Sequence, residues 1–370
     1  MFTLQEALKA IESKPEFRVN ERSFGFNIDY MVTMPGTFVG NTEKETGILQ
    51  NLRGTCFNQE GKIISLAYHK FHNLNENEEY KASNFDWNIG HEIQEKLDGS
   101  MIRPIPFNNG TYRLGTRAGI TDVSILAEEF VQTMEPFTRH AYNDFNFWCI
   151  GNNYTPIYEF CSRKNRVVID YPESQLVLTG IRCNESGLYV KVRVPERIKT
   201  VNTVLTDAGS ISDLAEFIKN RSGEEGVVVK FANGDYVKIK CDEYVLQHRA
   251  LDGLKFEKDV LKLILTDKLD DILPILTKEK QDSLNAYKES VFQRLALATQ
   301  EMELIFERNR HVPTKKMFAE LVVKSPYKTG LFKMWDGQTY SLKDYVLNHC
   351  GSITDVESVR WLIGKSYLEF

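Results

Sequence analysis

An α+β domain of antiparallel strands, followed by an all-helical domain, is the fold class this sequence predicts, and three observations predict it. Short β-rich runs broken by Gly, Asn and charged turns alternate with helical patterns through the first two thirds. A hairpin signal, Asn233-Gly234, stands between the apolar runs Gly226 to Phe231 and Tyr236 to Lys240. After Leu251 strand signals nearly vanish and helical spacing takes over. A chain of 370 residues suits two domains, at roughly 100–200 residues each. We expect them at 1–250 and 251–370, with a change of class rather than a flexible tether between them.

In order along the chain, residues 3–12 have the spacing of a short amphipathic helix, and 24–85 hold several short strands. Ile105 to Arg117 predicts a hairpin turning at Asn108-Asn109-Gly110, and Asp122 to Met134 a helix. Pro156 to Phe160 and Leu176 to Cys183 predict buried strands, and Ile211 to Asn220 a helix. Asn233-Gly234 predicts a two-residue type I′ turn, which would pair Phe231 with Tyr236, Val229 with Lys238 and Val227 with Lys240. In the tail, Leu284, Tyr287, Val291, Leu295, Ala298, Met302 and Ile305 are spaced by three and four, as along one long helix.

Composition excludes several classes. Hydrophobic residues at 42% and charged residues at 26% are those of a soluble folded protein, which excludes disorder, collagen-like repeats and coiled coils. No stretch approaches the about 18 apolar residues of a membrane span, and Met1-Phe2-Thr3-Leu4-Gln5-Glu6 is not a secretory leader. No Cys-x-x-Cys pair occurs among the six cysteines, so we expect reduced thiols in a cytoplasm, the host's if the chain is viral. A net charge of −5 leaves nucleic-acid binding to a local basic patch. The tail carries as many acidic as basic residues and is not a basic arm.

Common catalytic signatures are missing: no Gly-x-x-x-x-Gly-Lys loop, no Gly-x-Gly-x-x-Gly, no Gly-x-Ser-x-Gly. His91-Glu92-Ile93-Gln94-Glu95 has Glu where a zinc-protease helix needs its second His, and His69 and His72 lack partner ligands. The distinctive stretch is Glu95-Lys96-Leu97-Asp98-Gly99-Ser100, a lysine between strand-like residues and a tight turn. A lysine amine becomes nucleophilic only when deprotonated, which needs desolvation or neighbouring positive charge. Alone, the motif is weak evidence, and a surface lysine before a turn is the favoured reading.

The hairpin adds weight, because the strand period of two puts Lys238 and Lys240 on one face. The expected pairing puts Glu225 with them. Two lysines on an otherwise apolar strand face suit an anion such as phosphate; the alternative is a solvated outer face with Glu225 as counter-ion. Tyr158-Glu159-Phe160 puts a carboxylate in an apolar strand, and Leu52-Arg53-Gly54-Thr55 an arginine beside a glycine. Each is commonplace by itself.

Taken in order, Arg53-Gly54, Lys70-Phe71-His72-Asn73-Leu74-Asn75-Glu76, Lys96-Leu97-Asp98-Gly99-Ser100, Arg117, Tyr158-Glu159-Phe160, Glu225-Gly226 and Lys238-Ile239-Lys240 resemble the ordered motifs of the lysyl-adenylate nucleotidyltransferases. The chain is most similar to the RNA ligase 1 family of T-even phages. The segments Lys70 to Glu76 and Asn165-Arg166-Val167-Val168 carry that resemblance, which runs from about residue 50 to 250. Departures are His72, where the phage pattern has an aromatic residue, and Arg117, where it has lysine.

The resemblance implies a nucleotidyltransferase (adenylation) domain and an ATP-dependent ligase. Lys96 would attack the α-phosphate of ATP, and the AMP would pass to an RNA 5′-phosphate for displacement by a 3′-hydroxyl. It further implies Lys238 and Lys240 at the α-phosphate, Arg53 and Lys70 at the ribose or outgoing phosphates, and Glu95 and Arg117 in the nucleotide pocket. Glu159 and Glu225 would serve the ribose and the shell of Mg2+, or of Mn2+ in its place. The tail resembles the same family's helical tail through Lys268-Leu269-Asp270-Asp271, whose Asp270 and Asp271 are candidate metal ligands or a solvated helix end. The expected partner is RNA with 5′-phosphate and 3′-hydroxyl ends, for instance a broken tRNA loop chosen with the tail's help, bound by a monomer. A DNA ligase or GTP-using capping enzyme shares the lysine chemistry, but the helical tail and the Lys70 to Glu76 segment oppose it. A non-catalytic RNA-binding protein of the same fold is opposed by the intact lysines and carboxylates.

Overall fold

The structure, a computed structural model, describes residues 1–34, 36–351 and 356–370. Two compact units emerge, Met1–Val245 and Leu246–Phe370. In the first, α1 (Leu4–Ile11) begins at a capping box in which Thr3 and Glu6 satisfy each other's backbone N–H groups. The N-terminal sheet follows: β1 (Phe17–Arg22), β2 (Gly25–Tyr30), then, after α2 (Glu43–Asn51), β3 (Thr55–Phe57) and β4 (Ile63–Ser65), in that spatial order. Ala7, Ala10, Ile48, Leu49 and Leu52 of the helical segments share a buried core with Phe17, Ile28 and Phe57. Helix α2 lay hidden from periodicity because its sequence, Glu43 to Asn51, is mostly polar and buries only Ile48 and Leu49.

Two further sheets build the site. One orders β11 (Tyr236–Lys240), β10 (Gly226–Phe231) and β5 (His91–Lys96). The other orders β7 (Tyr112–Gly115), β6 (Ser100–Pro106), β8 (Tyr154–Cys161) and β9 (Gln175–Cys183). Helices α3 (Asp122–Thr133) and α4 (Pro136–Gly151) bury Ala127, Val131, Tyr142, Phe145 and Cys149 with Tyr158, Phe160, Leu176 and Leu178. Helix α5 (Ile211–Lys219) buries Ile211, Leu214 and Ile218 and packs on β10 and β11. The chain passes from β5 to β6 through Leu97-Asp98-Gly99, so one short turn joins the two sheets at Lys96.

Most predicted elements appear within two residues of their expected ends, but the hairpin register differs. Observed partners are Gly226 with Lys240, Val228 with Lys238 and Lys230 with Tyr236. The expected partners, Val227 for Lys240, Val229 for Lys238 and Phe231 for Tyr236, are each one residue off. The reason is the turn: Phe231 N–H bonds Asp235 O and Gly234 N–H bonds Phe231 O. The loop is therefore Ala232-Asn233-Gly234, with positive φ at Gly234 and not at Asn233, whereas type I′ needs it at both central residues. A one-residue shift exchanges faces. Val227 and Val229 become fully buried, and the lysine face receives Gly226 and Val228.

The second unit is helical, as expected. Helix α6 (Lys278–Asn309) buries Leu284, Tyr287, Val291, Leu295, Ala298 and Met302. They share one core with Leu261, Ile264, Phe318, Leu331, Val346 and Leu362. No helix among the described residues is long and apolar enough to cross a membrane.

Gly226 has φ +139°, and a Cβ there would stand 2.1 Å from Ile239 O. Gly226→Ala should lower stability by at least about 1–3 kcal/mol, the range for one strained residue, read as a reduced urea midpoint.

Candidate active site

In an antiparallel sheet, directly opposed residues share a face. Gly226 lies between Lys240 of β11 and Lys96 of β5, and Val228 between Lys238 and Gln94. Lys96 and the pair Lys238 and Lys240, distant from it in sequence, therefore stand on one face, around a residue without a side chain. The positive φ of Gly226 breaks the strand alternation just after Glu225, whose carboxylate bridges Lys96 Nζ at 2.6 Å and Lys240 Nζ at 2.8 Å. Glu225 is 4% exposed. Burial pushes its carboxyl up, but Lys96 and then Lys240 outweigh burial and hold it below its ordinary value. Glu225 thus joins the lysines as expected, through the glycine kink rather than through the predicted pairing.

Glu159 comes from the other sheet, where β8 sets it opposite Met101 and Val177. Burial pushes its carboxyl up to about 7, Lys96 pulling it down and Glu225 pushing it further up. Lys238 is displaced the other way. Burial, then the positive charges of Arg53, Lys96 and Lys70, bring its amine down to about 7. Its Nζ lies 5.1 Å from the Phe71 ring centroid, and among the described residues no carboxylate bridges it as Glu225 bridges Lys96 and Lys240.

The Lys70 to Glu76 segment lines the free edge of β11. Lys238 N–H donates to His72 O at 3.0 Å, and Leu74 N–H to Lys238 O at 2.8 Å. Glu76 holds the segment's bend, accepting from Asn73 N–H and Asn73 Nδ2 and facing His72 Nδ1. Lys70 Nζ stands 5.3 Å from the Phe38 ring and 6.0 Å from the Tyr30 ring. Arg53 leaves its Nε buried with no hydrogen-bond partner. Arg117 sits in the turn after β7, ion-paired to Asp29 at 3.0 Å and 4.2 Å from the Tyr30 centroid.

The predicted residues do not all converge. Glu95 lies on the opposite face of β5, across from Val227, and accepts from Asn202 Nδ2. Asp270 belongs to the helical unit, where it pairs with Lys288 at 2.9 Å; the side chain of Asp271 lies outside the described residues. Among the described residues no group of three or more His, Cys, Asp and Glu could hold a metal by itself. His91 and Glu92 lie on a strand, not a metal-binding helix. His69 is desolvated, with its pKa down to about 3, and bonds the Tyr189 hydroxyl.

Sequence reasoning missed the anchor beneath Lys96. The buried Asp98 carboxylate accepts from Val168 N–H (2.8 Å), Ile169 N–H (2.7 Å) and the Tyr244 hydroxyl (2.7 Å), while Asp98 N–H donates to the Tyr171 hydroxyl. Asn165 Nδ2 donates to Ser100 Oγ at 2.9 Å. The segment Asn165 to Val168, noted above for its resemblance alone, is thus a clamp on the lysine loop. Nothing in the local sequence marks Tyr171 or Tyr244.

A lysine held beside two carboxylates, on a face shared with two more lysines, of which Lys238 also feels Arg53 and Lys70, is the charge pattern of an enzyme site suited to phosphate groups. A family model described as RNA ligase matches residues 51–246, more than half of the chain, and the protein belongs to the RNA ligase family. A putative RNA ligase of Thermovibrio ammonificans is 28% identical over 80% of this chain and 76% of its own. The RNA ligase of Rhodothermus phage RM378 is 24% identical over 62% of this chain and 65% of its own. Among solved structures, an archaeal ATP-dependent RNA ligase is similar at 17% identity and TM-score 0.42, over 68% of this chain and 64% of its own. A point mutant of the Naegleria gruberi RNA ligase with ATP and Mn is similar at 14% identity and TM-score 0.33, over 43% of this chain and 51% of its own.

Asp98→Asn would turn the charge-assisted bonds from Val168 and Ile169 N–H into weaker neutral ones and reverse the Tyr244 bond, whose hydroxyl would have to accept. Stability should fall by about 1–3 kcal/mol, checked by denaturant titration, and the temperature factor of the Lys96 loop should rise in a crystal of the variant.

Proposed function

We propose that this protein is an ATP-dependent RNA ligase that joins 5′-phosphate to 3′-hydroxyl ends through a lysyl-AMP and an RNA-adenylate. The observation that carries the reading is Lys96 on the same sheet face as Lys238 and Lys240, tied to Glu225 and close to Glu159. In the first step the Lys96 Nζ lone pair attacks the ATP α-phosphorus. A P–N bond forms, the bond to the bridging oxygen breaks, and pyrophosphate leaves. The amine must first give up a proton and part from Glu225. An RNA 5′-phosphate oxygen then takes the AMP from Lys96, and a 3′-hydroxyl displaces AMP to close the phosphodiester.

Phosphoryl transfer depends mainly on positioning and charge neutralisation. Lys238 and Lys240 suit the α-phosphate, being rigid strand residues on the nucleophile's face. Arg53 and Lys70 add positive charge beside Lys238, suited to the ribose or the outgoing phosphates. Glu159 and Glu225 fit a magnesium ion, which commonly takes one or two carboxylates and completes its shell with water and phosphate. Glu159, raised to about 7, is a buried acid that a cation would favour in its ionised form. When bound, the ion would neutralise charge developing on the phosphate oxygens. Residues 246–370 would help choose the RNA, a broken tRNA loop being the proposed type.

Incubation with α-labelled ATP and a divalent cation, then denaturation, should leave label on the protein, and Lys96→Ala should abolish it. Retention of label by that variant would refute the role of Lys96. Label from GTP instead would favour capping chemistry, and sealing of DNA but not RNA strands a DNA ligase.

The displaced amine predicts a proton linkage. At pH 8 Lys238, with its pKa near 7, is mostly neutral in the free protein, and a triphosphate favours its charged form. The same anion would favour protonated Glu159. Metal-free ATP binding at pH 8 should therefore take up protons, measured by calorimetry in buffers of different ionisation enthalpy. Lys238→Met should reduce the uptake.

A further inference from the structure

The N-terminal sheet meets the cationic residues of the site through Asp29 and Tyr30, and most of it precedes the residues that the family model matches. Its strand β2 ends in Asn27-Ile28-Asp29-Tyr30. Asn27, fully buried, donates from Nδ2 to Gly54 O at 3.0 Å and to Arg117 O at 3.4 Å. Gly54, at φ +81°, admits this approach, since a Cβ there would lie 2.2 Å from Arg117 O. Backbone contacts thus bring Arg53 and Arg117 together, and the next inward-facing groups on β2 meet their side chains.

Asp29 is 5% exposed. One oxygen pairs with Arg117 Nε at 3.0 Å, and the other is buried with no hydrogen-bond partner at normal distance among the described residues. The Tyr30 ring supports the Arg117 guanidinium from below and faces Lys70. A neighbouring buried arginine behaves differently. Arg103 bonds Gly54 O, Ser65 Oγ and Cys56 Sγ, and is occupied structurally. Arg117, by contrast, is 37% exposed along its side chain, and among the described residues Asp29 is its sole ion-pair partner. A carboxylate that grips a guanidinium by Nε leaves the terminal amino groups for another anion.

We propose that Asp29 is a positioning residue for Arg117, fixing the guanidinium in the cationic wall so that its open edge receives the outer phosphates of the nucleotide. This rests on the ATP-dependent reading given above. Asp29 does not touch the reacting atoms; it acts through Arg117, and the N-terminal sheet thereby contributes to nucleotide affinity.

A pH signature follows. Burial pushes the Asp29 carboxyl up to about 6, against the pull of Arg117. The charged groups that face it are Arg117, Arg53 and Arg103, with Arg18 across the β1–β2 pair. All are guanidinium groups that keep their charge at any working pH. Above pH 6 the ionised carboxylate holds Arg117, and below it the hold weakens.

Two measurements test this. Calorimetric ATP binding to the Lys96→Ala protein, which cannot form lysyl-AMP, should weaken about tenfold at pH 7.5 when Asp29→Asn is added. In the otherwise native protein, Asp29→Asn should raise the ATP KM for lysyl-AMP formation by the same factor. The rate at saturating ATP and the Tm should stay near native. Arg117→Ala should match that loss, the double variant should be no worse than Arg117→Ala alone, and Asp29→Glu should restore part of it. The ratio of variant to native KM should fall towards one below pH 6. Unchanged affinity in Asp29→Asn, losses that add to those of Arg117→Ala, or a pH-independent ratio would overturn the proposal. A Lys96→Ala protein that still takes label would instead sink the lysine reading, and leaves the affinity comparison intact.

Discussion

The pocket depends on the register that sets Gly226 between Lys96 and Lys240. With a side chain at that position neither Ile239 O nor the Lys240 backbone could stay where it is. With glycine, two strands far apart in sequence present Lys96, Lys238 and Lys240 to one space, and the chain turns Glu225 in among them. Close-set ammonium groups repel one another and lose hydration, so the cluster needs negative charge. Glu225 supplies it for Lys96 and Lys240. Lys238 receives little, and its amine pKa falls accordingly.

The site's own charges are therefore not balanced by its own packing. A depressed lysine, a raised glutamate and a buried Arg53 Nε without a partner are each costly in isolation. A phosphate-bearing ligand accompanied by a cation, as proposed above, would relieve all three. This is the physical content of membership in a ligase family: the fold retains charges that its own packing does not neutralise.

Rigidity comes from a layer behind the lysines. Asp98 ties the turn after Lys96 to Val168, Ile169, Tyr171 and Tyr244, so the Lys96 loop is anchored at once to the sheet, to the loop after β8 and to the chain after β11. The Lys70 to Glu76 segment closes the edge of β11 with backbone bonds, which also protects an otherwise unpaired strand edge. Such anchoring keeps charged side chains from collapsing onto one another's counter-ions when no ligand is bound.

Local spacing determined much of this. Elements whose own residues specify them were legible: the amphipathic repeat of Leu284 to Ile305, the strands around Glu159, and the lysines two apart on β11. Short polar helices such as Glu43–Asn51 were not, because their stability comes from two buried side chains and their neighbours. The hairpin register could not be read from Asn233-Gly234, since the same dipeptide closes two-residue and three-residue loops and only sheet packing selects between them. Glu95 next to Lys96 and Asp270 in the tail had suggestive sequence positions, and the fold put one on the far face of its strand and the other on Lys288. Asp29, Tyr171 and Tyr244 carried no local signal at all. The sequence by itself determined which residues could do phosphate chemistry, because side-chain type and strand period are local properties; which of them meet, and what holds them, was decided by contacts between segments up to a hundred or more residues apart.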